Sequence, residues 1–454
     1  MFNLCTAVST LNIGTNVEAI PSYAFQGCSN IQTVNFNATN CTIAGRAVFN
    51  DNIELTTFNI GSNVKTIPAI ISECKSLKSL TIPNSVTTIG ESAFCYCTGL
   101  TAVTIGDKVK SIGKYAFYEC HGLISITIPN SITNIEEETF RGCSNLISIT
   151  LPNKLKSIGA GAFFGCGSLS SITLPNGIKS IGASAFLGCN FSSIILPNNI
   201  TNIEFGALWN CKNLTSVTIP SGVTNIAAIA FRDCSKLSTV KCYAKTPPSL
   251  NGFPFFNVPV GSCVLKVPTS AVTKYKQAEI WKDFIIQGGG VLVYPKPADP
   301  EKGFVNGNEL YDSRAIATVE AFAHEGYKFA NWTKNGVVVS TANPYSFTVT
   351  EDVELVANFD GVGIVETHDC ASLQVYPNPT TGELTIDISD MRYETSNMRY
   401  EIFDIYGKKL ISDFRFSDIG KSEIKINIAH LPSGIYFLKI STEVGDVVKK
   451  ILKM

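Results

Sequence analysis

The stretch LTAVTIGDKVKSIGKYAFYEC, residues 100–120, decides the fold, because the same pattern restarts at Leu123 and recurs along the first half of the chain. Its apolar positions, Leu100, Val103, Ile105, Val109, Ile112, Ala116, Phe117 and Cys120, return with a period of 23. The phenylalanine position reads Phe2, Phe25, Phe49, Ile71, Phe94, Phe117, Phe140, Phe163, Phe186, Leu208 and Phe231, which makes eleven units with steps of 22 to 24. Apolar residues at i, i+3 and i+5 put a short strand against the interior of a coil, and one coil alone cannot cover that face. Stacked coils can, and parallel strands about 4.8 Å apart predict an array roughly 50 Å long. Pro83, Gly106, Pro129, Pro152, Pro175, Pro197 and Pro220 follow the strand positions and mark corners, since neither residue extends a strand ladder well.

The phrase running from Thr81 through Pro83, Ile89 and Gly90 to Ala93, Phe94 and Cys97 resembles the BspA-like subclass of leucine-rich repeats, over residues 1 to about 240. That resemblance implies a surface protein engaged in adhesion or protein binding, with no catalytic residues to transfer. The chain opens in mid-repeat: Phe2 and Cys5 match Phe25 and Cys28, and residues 1–17 lack the basic and apolar segments of an export signal. The expectation is an N-terminally truncated array with its signal peptide upstream.

Alternation along the strands sends two columns outward. The first is Thr10, Thr33, Thr57, Ser79, Ala102, Ser125, Ser148, Ser171, Ser193, Ser216 and Thr239. The second is Asn12, Asn35, Asn59, Thr81, Thr104, Thr127, Thr150, Thr173, Ile195, Thr218 and Lys241. Three readings compete for this hydroxyl carpet: solubility of an exposed strand, a face for glycans or extended proteins, and an ice-like lattice. The candidate binding face comprises Ser79, Thr81, Thr104, Ser125, Thr127, Ser148, Thr150, Ser171, Thr173, Ser216 and Thr218. Neither column contains an aromatic residue. Ten of the fifteen cysteines occupy the Cys120 register, from Cys5 to Cys234, with Asn52 filling the gap. Equivalent neighbours on both sides specify no pairing, so they are expected as buried thiols packing beside the phenylalanines.

A net charge of -1, from 36 basic and 37 acidic residues, lacks the electrostatic footprint of a nucleic-acid binder. No apolar run reaches the roughly 18 residues of a transmembrane helix. The four histidines, His121, His324, His368 and His430, fall in separate settings, and no nucleophile elbow or phosphate loop occurs. Glu136, Glu137 and Glu138 read as solvated surface, and Cys95 with Cys97 has the wrong spacing for zinc. The expectation is no catalysis, no cofactor and no metal.

After Cys234 the period breaks. Residues 241–287, with Pro247, Pro248, Tyr275 and Trp281, resemble the unit that closes BspA-like arrays; Val272 to Trp281 is the expected helix. Residues 288–302, from Gly288-Gly289-Gly290 to Pro300, read as a linker. Residues 303–360, with Tyr327, Trp332 and alternating Val353 to Phe359, resemble the small β repeats of bacterial internalins, with Trp332 and Tyr327 in its core, and imply a spacer or stalk. A second linker covers 361–372. In 373–454, three blocks resemble the type IX secretion sorting domain of Bacteroidetes: Pro377, Asn378, Pro379 and Gly382; Tyr406, Gly407 and Lys408; Pro432, Gly434 and Tyr436. That family's domain is a small β-sandwich read by the secretion machinery and usually removed.

The expected fold class is therefore mainly β: a leucine-rich-repeat solenoid, a small β domain and a C-terminal β-sandwich. The expected function is a non-enzymatic protein of the outer cell surface whose solenoid binds a host or bacterial surface protein or glycan. Its other partner is the type IX machinery, with no nucleic acid and no transmembrane segment. The alternative is a structural surface-layer component without a specific ligand.

Overall fold

The computed structural model describes residues 2, 4–45, 47–49, 52–324, 326–361, 374–376, 383–387, 399–403, 409–415, 423–429, 431, 434–442 and 445–453. They divide into two compact units, Met1–Asp360 and Gly361–Met454. The chain is mainly β, and its first part is a solenoid of about 12 turns of roughly 23 residues.

Each coil has three sides. A strand of three or four residues, such as Ala102–Ile105, pairs in parallel and in register with its equivalents, Leu80 facing Val103 and Ile82 facing Ile105. A corner follows, closed by bonds such as Val86 N–H to the Pro83 carbonyl. A two-residue strand, such as Ser111–Ile112, forms a second parallel ladder. The third side is a run of turns in which alternate amides reach the next coil: Ser92, Phe94 and Tyr96 donate to the carbonyls of Lys114, Ala116 and Tyr118. This geometry needs left-handed residues, supplied by Gly142, Gly165 and Gly188 in some coils and by Tyr96, Glu119, Asn210 and Asp233 in others. Coils also approach closely at the corner into that side. A Cβ on Gly113 would lie 2.6 Å from the Glu91 nitrogen, which explains the recurrent Ile-Gly pair.

Inside, the phenylalanines stack. Phe94, Phe117, Phe140, Phe163 and Phe186 follow at centroid distances of 5.0, 5.3, 5.5 and 5.6 Å, all fully buried. Where the coil shortens to 22 residues, Phe191 takes the buried leucine place and meets Phe186 edge-on at 5.5 Å. The stack runs one turn beyond the repeat as read from sequence: Phe255 lies 5.2 Å from Phe231. The sheet likewise continues through Val264–Val267 and Ile285–Gly288.

Tyr275, Trp281 and Phe284 close the end. Tyr275 donates to the Ala244 carbonyl at 2.9 Å and Trp281 Nε1 to the Pro248 carbonyl at 2.9 Å. The helix is shorter than expected, Val272–Gln277, because Ile280 sits at φ 66° and turns the chain into a 3-10 segment at Trp281–Asp283.

The segment expected as a linker, 288–302, is built into both neighbours. Gly288 ends a solenoid strand, and Val291–Pro297 is a strand that pairs in parallel with residues 353–357 and antiparallel with 309–311. Pro295 and Pro297 are tolerated there because the short partner 309–311 reaches only to Val293, leaving their missing N–H groups without a ladder to break. The domain is two packed sheets around Val293, Val319, Trp332, Leu355 and Phe359. Trp332 is fully buried, and Tyr327 lies half-buried against the core. Rather than extending as a stalk, this domain docks along the solenoid corners. Glu301 bridges Lys156 at 2.5 Å and Lys179 at 2.6 Å, and Asn176 donates to the Val305 carbonyl at 3.0 Å.

In the second unit, 374–376, 383–387 and 423–427 form one antiparallel sheet, and 409–415, 399–403, 434–442 and 445–453 another. The strand at Gly445–Lys453 pairs along the whole of Gly434–Thr442, although its Lys449-Lys450 pair interrupts the alternation of polar and apolar residues.

Candidate binding face

The strand register brings the predicted residues together in rows. Thr81 faces Thr104, Thr127 faces Thr150, and Ser125 faces Ser148, each pair on adjacent strands with side chains outward. Ser79, Thr81, Thr104, Ser125, Thr127, Ser148 and Thr150 are exposed; Ser216 and Thr218 are half-buried. Among the described residues, the Thr81, Thr104, Thr127 and Thr150 hydroxyls have no hydrogen-bond partner within the protein. The first coils differ. Asn35 donates to Asn12 at 2.7 Å and Asn59 to Asn35 at 2.8 Å, an amide ladder that consumes its own polar groups. Ser171 and Thr173 are exposed, yet no strand is assigned at 171–174, so they flank a break in the row. Ile195, 70% exposed, interrupts the hydroxyl column, and Lys241 with Lys266 ends it in positive charge. Lys266 escaped the sequence reading because its strand lies beyond the phenylalanine repeat.

The cysteine register is a hydrogen-bonding device as well as packing. Cys97, Cys120, Cys143, Cys166 and Cys189 each donate to the carbonyl of the residue in the phenylalanine register one coil back, at 2.9 to 3.2 Å. That carbonyl already accepts an amide within its own coil, as Phe94 does from Cys97, and the thiol supplies its second donor. Asn52 does the same where cysteine is missing, donating to the Phe25 carbonyl at 2.9 Å. Burial pushes the Cys97 and Cys234 thiols up to about 12, which removes the thiolate needed for reaction or metal binding. The ten cysteines of the register, from Cys5 to Cys234, form no disulfide. Glu137 and Glu138 are engaged by Lys114 at 2.9 Å and Arg141 at 3.0 Å. Among the described residues no group of three or more potential ligands could hold a metal ion.

Aromatic residues absent from the strand columns occur on the turn side, one place after the phenylalanine register. Arg141 lies over Tyr118 at 5.8 Å and Phe164 at 4.3 Å, and Arg232 over Trp209 at 5.3 Å and Phe256 at 5.0 Å. Reading the same period one residue further would have found this ladder.

Of the sorting motifs, Pro377, Asn378, Pro379, Gly382, Tyr406, Gly407, Lys408 and Pro432 lie outside the described residues. Gly434 opens its strand, and Tyr436 is buried within it.

Comparison with known proteins follows these regions. The family model for the BspA type leucine rich repeat region matches residues 1–71, 69–176 and 156–264. The divergent InlB B-repeat domain matches 298–363, and the secretion system C-terminal sorting domain matches 374–454. No curated protein matches the chain. Among solved structures, a leucine-rich repeat protein from Bacteroides ovatus aligns with TM-score 0.46 and 22% identity over 64% of this chain and 87% of its own. A leucine rich cell surface protein from Faecalibacterium prausnitzii aligns with TM-score 0.36 and 25% identity over 54% and 79%. A leucine-rich repeat protein from Eubacterium ventriosum gives TM-score 0.38 and 20% identity over 56% and 84%. With the repeat model matching more than half of its 454 residues, the chain belongs to the BspA-type leucine-rich repeat family and carries a C-terminal secretion sorting domain.

Proposed function

We propose that the solenoid of this secreted surface protein binds a surface protein or glycan through its strand face, and that the sorting domain delivers it to the type IX machinery and to surface attachment. The observation that carries the binding reading is the row Thr81, Thr104, Thr127 and Thr150: four outward hydroxyls in register on adjacent strands, with no partner inside the protein. Each can donate and accept at a fixed strand spacing, so an extended chain of hydroxyls or amides laid across the coils would meet several at once. The register thiols from Cys28 to Cys234 are buried, and Glu137 and Glu138 are held by Lys114 and Arg141, which supports a binding rather than a catalytic reading. The Asn12, Asn35 and Asn59 ladder favours a second reading for the first coils, in which that part of the face is structural.

The test is replacement of Thr81, Thr104, Thr127 and Thr150 by Lys in the full chain, with binding to arrays of extracellular-matrix proteins and glycans as the readout. Exposed strand positions tolerate the change, so the unfolding midpoint should hold while binding is lost. Unchanged binding removes the strand face from the proposal and leaves the structural role.

A further inference from the structure

We infer that the seam between the solenoid and the docked β domain is a second, separate binding site, built for a neutral saccharide of one or two rings. A cavity of about 370 Å3 opens there, between the corner loops of three successive coils and the strand Val291–Pro297. That volume lies in the range of small-molecule sites, and seams between packed domains are where such sites occur.

The chemistry of the lining selects the ligand. The cavity's amides hold each other by their donors. Asn176 Nδ2 donates to the Asn306 side chain at 2.7 Å, Asn199 Nδ2 to the Asn176 carbonyl at 2.7 Å, and Asn308 Nδ2 to Asn198 Oδ1 at 2.8 Å. This leaves the side-chain oxygens of Asn176, Asn199 and Asn308, and the Asn198 Nδ2, without partners among the described residues; the Asn308 oxygen is out of contact with solvent. A ligand that fits must both donate and accept, as hydroxyl groups do. The charges in the cavity are already neutralised: Lys296 pairs with Glu354 at 2.7 Å, and Lys245 with Asp352 at 3.3 Å while lying 4.9 Å over the Tyr294 ring. A charged ligand would have to break one of those pairs. Tyr294 and Phe304 supply half-buried aromatic surface for the apolar C–H face of a sugar ring. Convergent amides of mixed sense, aromatic walls and no free charge describe a neutral polyhydroxylated ligand.

The experiment titrates the full chain with cellobiose, lactose, maltose and N,N'-diacetylchitobiose, read by saturation-transfer NMR and calorimetry. At least one should bind. Tyr294→Ala should weaken it at least tenfold, and Ser221→Trp, which fills the cavity from a loop position without removing a described contact, should abolish it with the unfolding midpoint kept. The four-lysine variant of the strand face should bind the same sugar normally, which separates this site from the one proposed above. No binding by any of the four sugars overturns the inference, and so does binding that survives Ser221→Trp or disappears with the strand-face variant.

Discussion

The phenylalanine column and the seam with the β domain are both packed against successive coils of the solenoid, one from within and one from outside, yet they are specified in opposite ways. Inside the solenoid each coil meets a near copy of itself, so one residue choice is repeated and every contact is stated many times. At the seam each contact is made once: Glu301 with two lysines, Asn198 with Asn308, Asp352 with Ser270 and Lys245. A periodic interior is robust because its units stabilise each other through nearest-neighbour interfaces. A seam of single polar contacts has no such redundancy and can be loosened by one substitution or by solvent conditions.

The largest effect tests the periodic side. Phe117 is fully buried between Phe94 and Phe140. Phe117→Ala should lower stability by about 3–5 kcal/mol in denaturant unfolding, since the stack on both sides resists collapse into the void. A loss below about 1 kcal/mol would mean the stack repacks and the column is not a rigid core.

The cysteine register gives an intermediate effect and a sharper comparison. Asn52→Cys restores the consensus donor and should change stability by less than about 1 kcal/mol, whereas Asn52→Leu leaves the Phe25 carbonyl short of a donor and should cost about 1–3 kcal/mol. Equal effects would show that volume, not the hydrogen bond, selects the residue. The same burial predicts chemistry: at pH 8, iodoacetamide should reach the half-buried Cys5 and Cys95 first, and Cys97 and Cys234, pushed up to about 12, only on unfolding. Peptide mass spectrometry of native and unfolded protein reads this directly.

What was legible in the sequence follows the same division. The period of 23 located the strands, the buried phenylalanines and the outward Ser and Thr rows, because each signal is local and repeated. The helix end at Ile280, the strand at Val291–Pro297 and the docking of the β domain were not legible. Gly288-Gly289-Gly290 and the prolines that follow have the composition of a joint. Only the distant partner 353–357 turns that segment into a strand. The cavity at the seam was hidden for the same reason: Asn176, Asn198 and Asn199 look like ordinary corner residues until Asn308 and Tyr294 arrive from over ninety residues away.

The smallest expected effect tests the seam itself. Hydrogen bonds from Lys156 and Lys179 hold the Glu301 carboxyl down at about 2, below its usual 4.5. A depressed folded-state value means that protons bind more tightly to the undocked or unfolded chain, so the contribution is fully present above pH 4.5 and fades as pH falls toward 2. Glu301 is half exposed, so solvent screening keeps each pair in the range of surface ion pairs, under about 1 kcal/mol. Comparing unfolding midpoints of the native chain and Glu301→Gln across pH should therefore show a small constant gap above pH 5. That gap should close between 4.5 and 2 and shrink at every pH in high salt, where the exposed charges are screened. The Phe117→Ala deficit carries no charge and should persist across the same range. A gap that survives at pH 2, or one indifferent to salt, would show that Glu301 holds the domain by packing, and the seam would then resemble the solenoid interior more closely than its contacts indicate.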